Sequence, residues 1–308
     1  MDLFNKINVK CRFLSLFIFP LFIYSQQESF LSNYMFQMSL INPAFAGSEA
    51  KNIIALTSRN QWVSLENSPK TQVMTFSSER GKNVGLGLSF IANNFFVERN
   101  TASYIDFSYK LNFTDETSLY LGLKAGATFY KENLLGLTSS SLNIDPAQGL
   151  FSRVNPNLGI GMLIRSPVFW FSFSVPRLFN SGDKSNFSIT STDRVHTYFG
   201  SGVTLKINDS FLLKPSILLR TVSDLSTTAD FLALFSYKNT FDVGASYRTN
   251  NSLGLISYFS LKSFLDIGYS YETPVESGLS GLSISTHEIS LRFKFGSNPN
   301  TEETIPEE

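Results

Sequence analysis

Leu119-Tyr120-Leu121-Gly122-Leu123-Lys124-Ala125-Gly126-Ala127 places an apolar side chain at every second position, with a polar, aromatic or small residue between each pair. Successive side chains of an extended strand point to opposite faces, so this stretch has one greasy face and one polar or small-residue face. The alternation recurs in both directions along the chain. Upstream, Val84, Leu86, Leu88 and Phe90 alternate with Gly85, Gly87 and Ser89. Downstream, Ile289, Leu291, Phe293 and Phe295 are set against Ser290, Arg292 and Lys294. From Ile53 to Phe295 the chain repeats this unit, roughly ten residues long and closed by turn residues, with no helical period between.

The pattern predicts an all-β fold, a transmembrane antiparallel β-barrel with lipid against the apolar face and a polar lumen. A soluble β-sandwich or closed soluble barrel also alternates with period two. Strands of about 10 to 14 residues argue against it, because soluble strands run nearer five or six. The charged fraction of 16% is likewise below the roughly 25% of a soluble domain.

Lys6, Lys10 and Arg12 precede a short apolar core, Phe13 to Tyr24, interrupted by Pro20 and followed by a Ser25-Gln26 junction. This reads as a secretory signal peptide. Cys11, the only cysteine, would leave with it, so the mature chain offers no thiol for disulfides, metals or catalysis.

Turn residues divide the array into about fourteen strands, near 53–63, 70–79, 83–95, 101–114, 118–132, 156–165, 168–177, 194–207, 211–222, 228–238, 240–249, 252–262, 264–273 and 286–295. Connections after even-numbered strands are tight, as at Gly81-Lys82, Asp115-Glu116, Ser166-Pro167, Asn208-Asp209 and Asn239. Those after odd-numbered strands are mostly longer, notably 133–155, 178–193 and 274–285. Short turns belong on the periplasmic side, and an even count returns the chain to its starting side, so both termini are expected in the periplasm. The chain thus divides into a signal peptide (1–25), an N-terminal segment (26–51), an outer-membrane barrel (52–296) and an acidic tail (297–308) expected to be disordered. Pro215 falls inside a strand and suggests a bulge, while Gly122, Gly126, Gly159, Gly161, Gly244 and Gly268 suggest sharp bends or a plug close to the wall.

Catalytic signals are sparse. His196 and His287 are the only histidines, and neither has metal-ligand spacing around it. His287-Glu288 reads as a satisfied structural pair rather than an acid–base couple. Asp106, Asp230, Asp242 and Asp266 are expected to face inward or lie near rims, since charge on the lipid face is costly. Arg59, Arg99, Arg165, Arg220 and Arg248 are expected in lumen or rim charge networks, and Trp62 with the tyrosines in interfacial girdles. Zero net charge and scattered basic residues argue against nucleic acid.

The segment before the barrel reads Phe30-Leu31-Ser32-Asn33-Tyr34-Met35-Phe36-Gln37-Met38-Ser39-Leu40-Ile41-Asn42-Pro43-Ala44-Phe45-Ala46-Gly47. Further marks follow in order: Arg59-Asn60-Gln61-Trp62, Ser68-Pro69-Lys70-Thr71, Gly85-Leu86-Gly87, Pro156-Asn157-Leu158-Gly159-Ile160-Gly161, Pro215-Ser216-Ile217, Tyr247-Arg248, Gly268-Tyr269-Ser270-Tyr271 and Thr286-His287-Glu288-Ile289-Ser290-Leu291. Together they closely resemble the PorP/SprF family, outer-membrane proteins of the type IX secretion system in Bacteroidetes. Glu28-Ser29 departs from the acidic-Pro pair common in that family, and the tail runs past the usual terminal aromatic.

The resemblance implies a non-enzymatic component that assists export or cell-surface attachment of partner proteins by protein–protein contacts. Gliding-motility adhesins with C-terminal sorting domains are among such partners. Implied partners are outer-membrane lipid, type IX components in the periplasm or outer membrane, and a secreted protein; no cofactor, metal or nucleic acid is expected. A channel or transporter for a small solute is the alternative. Residues 30–47 are too apolar to float free, so Phe30, Tyr34, Phe36, Asn42, Pro43, Phe45 and Gly47 are candidates either for a lumen plug or for a partner-docking strap. His287, Glu288, Phe293 and Phe295 are the candidates for barrel closure.

Overall fold

The computed structural model describes residues 31–49, 51–63, 65–133, 149–179, 194–223, 226–249, 252–275 and 285–297. Fourteen strands follow one another: β1 (Lys51–Gln61), β2 (Lys70–Arg80), β3 (Val84–Phe95), β4 (Glu98–Asn112), β5 (Ser118–Asn133), β6 (Leu150–Arg165) and β7 (Phe169–Arg177). Then come β8 (His196–Val203, resumed as Leu205–Lys206), β9 (Phe211–Val222), β10 (Thr228–Tyr237), β11 (Phe241–Arg248), β12 (Ser252–Leu261), β13 (Leu265–Pro274) and β14 (Thr286–Ser297). Each pairs antiparallel with its sequence neighbours, and β1 pairs with β14, so the sheet has no free edge. Closure satisfies every ladder, which is the condition for a sheet to cross a bilayer.

Alternation places the apolar face outside. Ile105 (61%), Leu123 (59%) and Leu255 (64%) stay widely exposed, a costly arrangement in water that a lipid environment removes. Both ends of the barrel lie at one rim, since Lys51 pairs with Ser297. The connections 81–83, 113–117, 166–168, 207–210, 238–240 and 262–264 turn at this terminal rim; the opposite rim holds the longest connections and also two short ones, 96–97 and 249–251. At one tight turn Lys238 and Asn239 both carry positive φ (49° and 53°), the geometry that matches a two-residue hairpin to strand twist.

Three expectations change. The sixth strand starts at Leu150 rather than 156, because it pairs with β5 along its whole length, to Asn133↔Leu150. That moves the end of the expected 133–155 loop into the sheet; residues 134–148, like much of 178–193 and 274–285, lie outside the described residues. Pro215 makes no bulge, since its neighbours keep one register (Ser216↔Gly202, Leu213↔Leu205). The facing strand is interrupted at Thr204, next to Val203, which stands opposite Pro215; the Thr204 N–H keeps its bond to the strand on the other side, donating to the Val168 carbonyl at 2.7 Å.

The third change concerns the lumen. Tyr104, Tyr120, Tyr130, Tyr198 and Tyr258 are buried inside rather than forming girdles, and Val73, Leu218, Leu232, Leu234 and Ile256 join an apolar cluster there. The interior is therefore a packed core and not a uniformly polar channel.

Candidate functional site

That core is completed by Leu31–Ser48, which lies inside the barrel in two short 3-10 pieces, Tyr34–Leu40 and Pro43–Phe45. Tyr34, Met38 and Ile41 are buried against the inward aliphatic residues, and each fully buried side chain of this size is worth about 1.5–3 kcal/mol. Three sets of contacts fix the segment to the wall.

Nearest the opposite rim, the fully buried Glu288 carboxylate accepts the backbone N–H groups of Ser32 (2.9 Å) and Asn33 (2.7 Å). Arg59, directly across the β1–β14 ladder, lies 3.2 Å from Glu288 and 3.3 Å from Glu272. Glu272 also accepts from the Ser32 hydroxyl at 2.6 Å, and its second oxygen meets Arg248 at 3.1 Å. Arg248 is held in turn on Asp230 at 2.8 Å. A buried carboxylate is tolerable because guanidinium and amide donors compensate it, and the same carboxylate satisfies two main-chain donors that would otherwise be orphaned.

Midway, Lys124 donates to the Ser39 carbonyl (3.0 Å) and pairs with Asp106 (2.7 Å). Phe36 stacks on Tyr258 with ring centroids 4.3 Å apart.

The third set is a track of small residues. Gly85, Ser108, Gly122, Gly161 and Ser174 stand opposite one another in register across β3 to β7. Residues 41–47 cross the strands along this row. Ser174 Oγ donates to the Ile41 carbonyl (2.6 Å), and Ser108 Oγ donates to the Ala46 carbonyl. Asn42 Nδ2 donates to the main-chain carbonyls of Met162 (2.9 Å) and Phe173 (3.3 Å), and the Gly47 N–H donates to Ser77 Oγ (2.8 Å). A Cβ at Gly161 would collide with the Asn42 side chain, at Gly122 with the Pro43–Ala44 backbone, and at Gly85 with the Ala46 carbonyl.

Local chemistry shapes the crossing piece. Asn42 Oδ1 accepts the Ala44 N–H (2.9 Å), capping the single turn that Pro43 opens. Gly47 takes φ +64° against Gly85, where a side chain would be both strained and obstructed. Just beyond it, Glu49 pairs with Arg292. Burial pushes the Glu49 carboxyl up, but the Arg292, Arg165 and Lys294 charges outweigh that and hold it below its ordinary value.

Of the residues singled out from sequence, Tyr34, Phe36, Asn42, Pro43, Phe45 and Gly47 all lie in this segment, with Phe45 edge-on to Trp170 at 6.0 Å; Phe30 lies outside the described residues. The four closure candidates divide by face. His287, Phe293 and Phe295 stand on the outer face of β14 and Glu288 on the inner one, so closure itself is made by the main-chain ladder. His287 and Glu288 therefore form no pair with each other: Tyr269 Oη lies 2.8 Å from His287 Nδ1, while Glu288 holds the segment. Asp106, Asp230, Asp242 and Asp266 all face inward onto a lysine or arginine. Sequence reading missed the partnership of Arg59, Glu272 and Glu288, and it singled out Gly122 and Gly161 as close to a plug without the row that joins them to Gly85, Ser108 and Ser174. Both become visible only when strand register is known, because the members of each lie on different strands far apart in the chain.

A sequence profile of the type IX secretion system membrane protein PorP/SprF family matches residues 23–293. A search of curated protein sequences gives no match. Among solved structures, the Ralstonia pickettii toluene transporter TbuX is similar at 10% identity and TM-score 0.50, over 83% of this chain and 92% of that one. The CymD monoaromatic hydrocarbon channel is similar at 12% identity and TM-score 0.50, over 84% and 91%. The Acinetobacter baumannii outer membrane protein Omp33 aligns at 12% identity and TM-score 0.48, over 81% and 100%. At these identities the likeness to TbuX and CymD shows an outer-membrane barrel fold and no shared substrate. The stretches that make up the wall contacts, Asn42 to Gly47 with Gly85 and Gly161, and Arg59 with Glu288, are also those that carry the sequence resemblance, and with the profile match they place this chain in the PorP/SprF family of type IX secretion system membrane proteins.

Proposed function

We propose that this protein assists export or cell-surface attachment of a partner protein within the type IX secretion system, by protein–protein contacts and without catalysis. Its lumen serves as a scaffold interior rather than as a conduit. The observation that carries the reading is the N-terminal segment: Ser32 to Gly47 is fastened at three levels along the wall and completes an apolar core where a solute path would run. Partner contacts then fall to the rims. The terminal rim, with its short turns and both barrel ends, would face the periplasm and its secretion components, while the opposite rim would face the secreted protein.

The competing reading, a channel for a small solute, is separated from this one by two measurements. Affinity purification of the tagged protein from detergent-solubilised outer membranes, followed by mass spectrometry, is expected to recover type IX components or a surface protein with a C-terminal sorting domain. In planar bilayers the purified barrel is expected to stay silent. Steady conductance together with recovery of the barrel alone would replace the scaffold reading with the channel.

A further inference from the structure

Lys70, Arg99 and Lys131 stand in one row on the outer face, at the long-loop end of β2, β4 and β5. Lys70 is opposite Asn94 of β3, Asn94 is opposite Arg99, and Arg99 is opposite Lys131. All three are exposed, and their side chains make no ion pair or hydrogen bond among the described residues. The carboxylates nearest in sequence, Glu98 and Glu132, face each other at inward positions, so the outward positions of this row offer no negative charge. Like charges directly opposed across a ladder destabilise the pairing. An anion lying between Arg99 and Lys131 would relieve that repulsion, and charge-assisted hydrogen bonds would hold it there.

The next outward row toward the barrel's middle is small and polar. Ser58, Gln72, Ala92 and Thr101 face one another in register from β1 to β4. Over this row a groove of about 460 Å³ opens in the outer wall. Met74, Phe90 and Ile289 bound it and are 43%, 45% and 55% exposed. They belong to the apolar face that meets lipid, so the chemistry that fills such a groove is hydrocarbon chain. Arg99 and Thr101 are two residues apart on β4, about 7 Å along the strand, so the cations and the groove are continuous. A row of unpaired cations beside an apolar groove is complementary to an amphiphile with an anionic head.

We propose that this sector of the outer wall is a binding site for one phosphate-bearing membrane lipid. Its phosphate lies on Arg99 and Lys131, with Lys70 two strands from Arg99, and one acyl chain lies in the groove over Ser58, Gln72, Ala92 and Thr101. A lipid with an uncharged head would fill the groove but leave Arg99 and Lys131 opposed. With the terminal rim toward the periplasm, the occupant comes from the outer leaflet; binding in micelles is independent of that orientation.

The test uses the purified full chain in detergent micelles, with bound lipid counted by native mass spectrometry. Dioleoyl phosphatidic acid is expected to bind one per barrel, at least about tenfold more tightly than dioleoylglycerol, the margin typical of hydrogen bonds between charged groups. Arg99→Gln with Lys131→Gln is expected to abolish that preference. Arg80→Gln with Lys82→Gln, at the terminal end of the same wall, is expected to keep it. Ala92→Phe, which fills the groove, is expected to weaken binding of both lipids several-fold. No preference for the phosphate in the wild type, or the same preference in the Arg99 and Lys131 double variant, would overturn the proposal. So would equal losses from the two pairs of substitutions, which would mean attraction by surface charge at large, or unchanged binding by Ala92→Phe. If the Arg99 and Lys131 double variant does not assemble, as judged by heat-modifiable gel migration, Lys131→Gln alone is read by the same criterion.

Discussion

Gly122 and Gly161 face each other across the β5–β6 ladder with Pro43 and Ala44 lying on them. Gly122→Ala should therefore act on the N-terminal segment and leave the barrel intact. The new methyl meets main chain, not a flexible side-chain end, and such overpacking costs about 1–3 kcal/mol. The expected outcome is normal membrane assembly with faster proteolysis between Leu31 and Gly47, while Gly149→Ala, whose methyl would meet only the Phe151 ring, changes proteolysis little. Glu49 offers a pH test. Its carboxyl is held below the ordinary value of 4.5 by Arg292, Arg165 and Lys294. A lowered folded-state pKa means that the contribution is present above the unfolded value and lost as pH falls through the folded one. The difference in Tm between wild type and Glu49→Gln should hold constant from pH 7 to about 5 and shrink below that. A difference that grows on acidification would contradict the assignment.

At the scale of elements, strand existence was written in local sequence, because period-two alternation needs only neighbours to be read. Thirteen of the strand starts fall within three residues of expectation; the sixth does not, because only pairing with the full length of β5 extends it to Leu150. Register, by contrast, is a property of the closed sheet, so Arg59 gave no sign from its own surroundings that it would meet Glu288. The apolar character of residues 30–47 was equally plain in the sequence, but not what it would pack against. A fourteen-strand barrel lies between the filled eight-strand barrels and the open porins of sixteen or more, so its interior needs an added element to be dry. Deleting residues 27–47 should leave an assembled barrel that conducts in planar bilayers where the full chain is silent. A silent deletion variant would show that some other element closes the lumen.

At the scale of the whole molecule, the even strand count sets both barrel ends at one rim, Lys51 opposite Ser297, but does not say which side of the membrane that rim faces. The distribution of loops argues for the periplasm. Six connections of three to five residues turn at the terminal rim, whereas the opposite rim holds two short ones, 96–97 and 249–251, together with all the longest, including 62–69; in outer-membrane barrels short turns are periplasmic and long loops extracellular. The inner segment runs from the Glu288 network, in the half nearer the long loops, past the glycine track to Glu49 near the terminal rim. Cys11 is the one cysteine of the sequence, so in a Cys11→Ser background each introduced cysteine is a unique label. On intact cells an impermeant maleimide should label Glu66→Cys, in the exposed 62–69 connection, and should miss Asp115→Cys in the turn between β4 and β5 until the outer membrane is permeabilised. The reverse pattern would turn the barrel over, placing both its ends and the acidic stretch beyond Ser297 at the cell surface, and the periplasmic partners proposed for the terminal rim would then have to be sought at the other one.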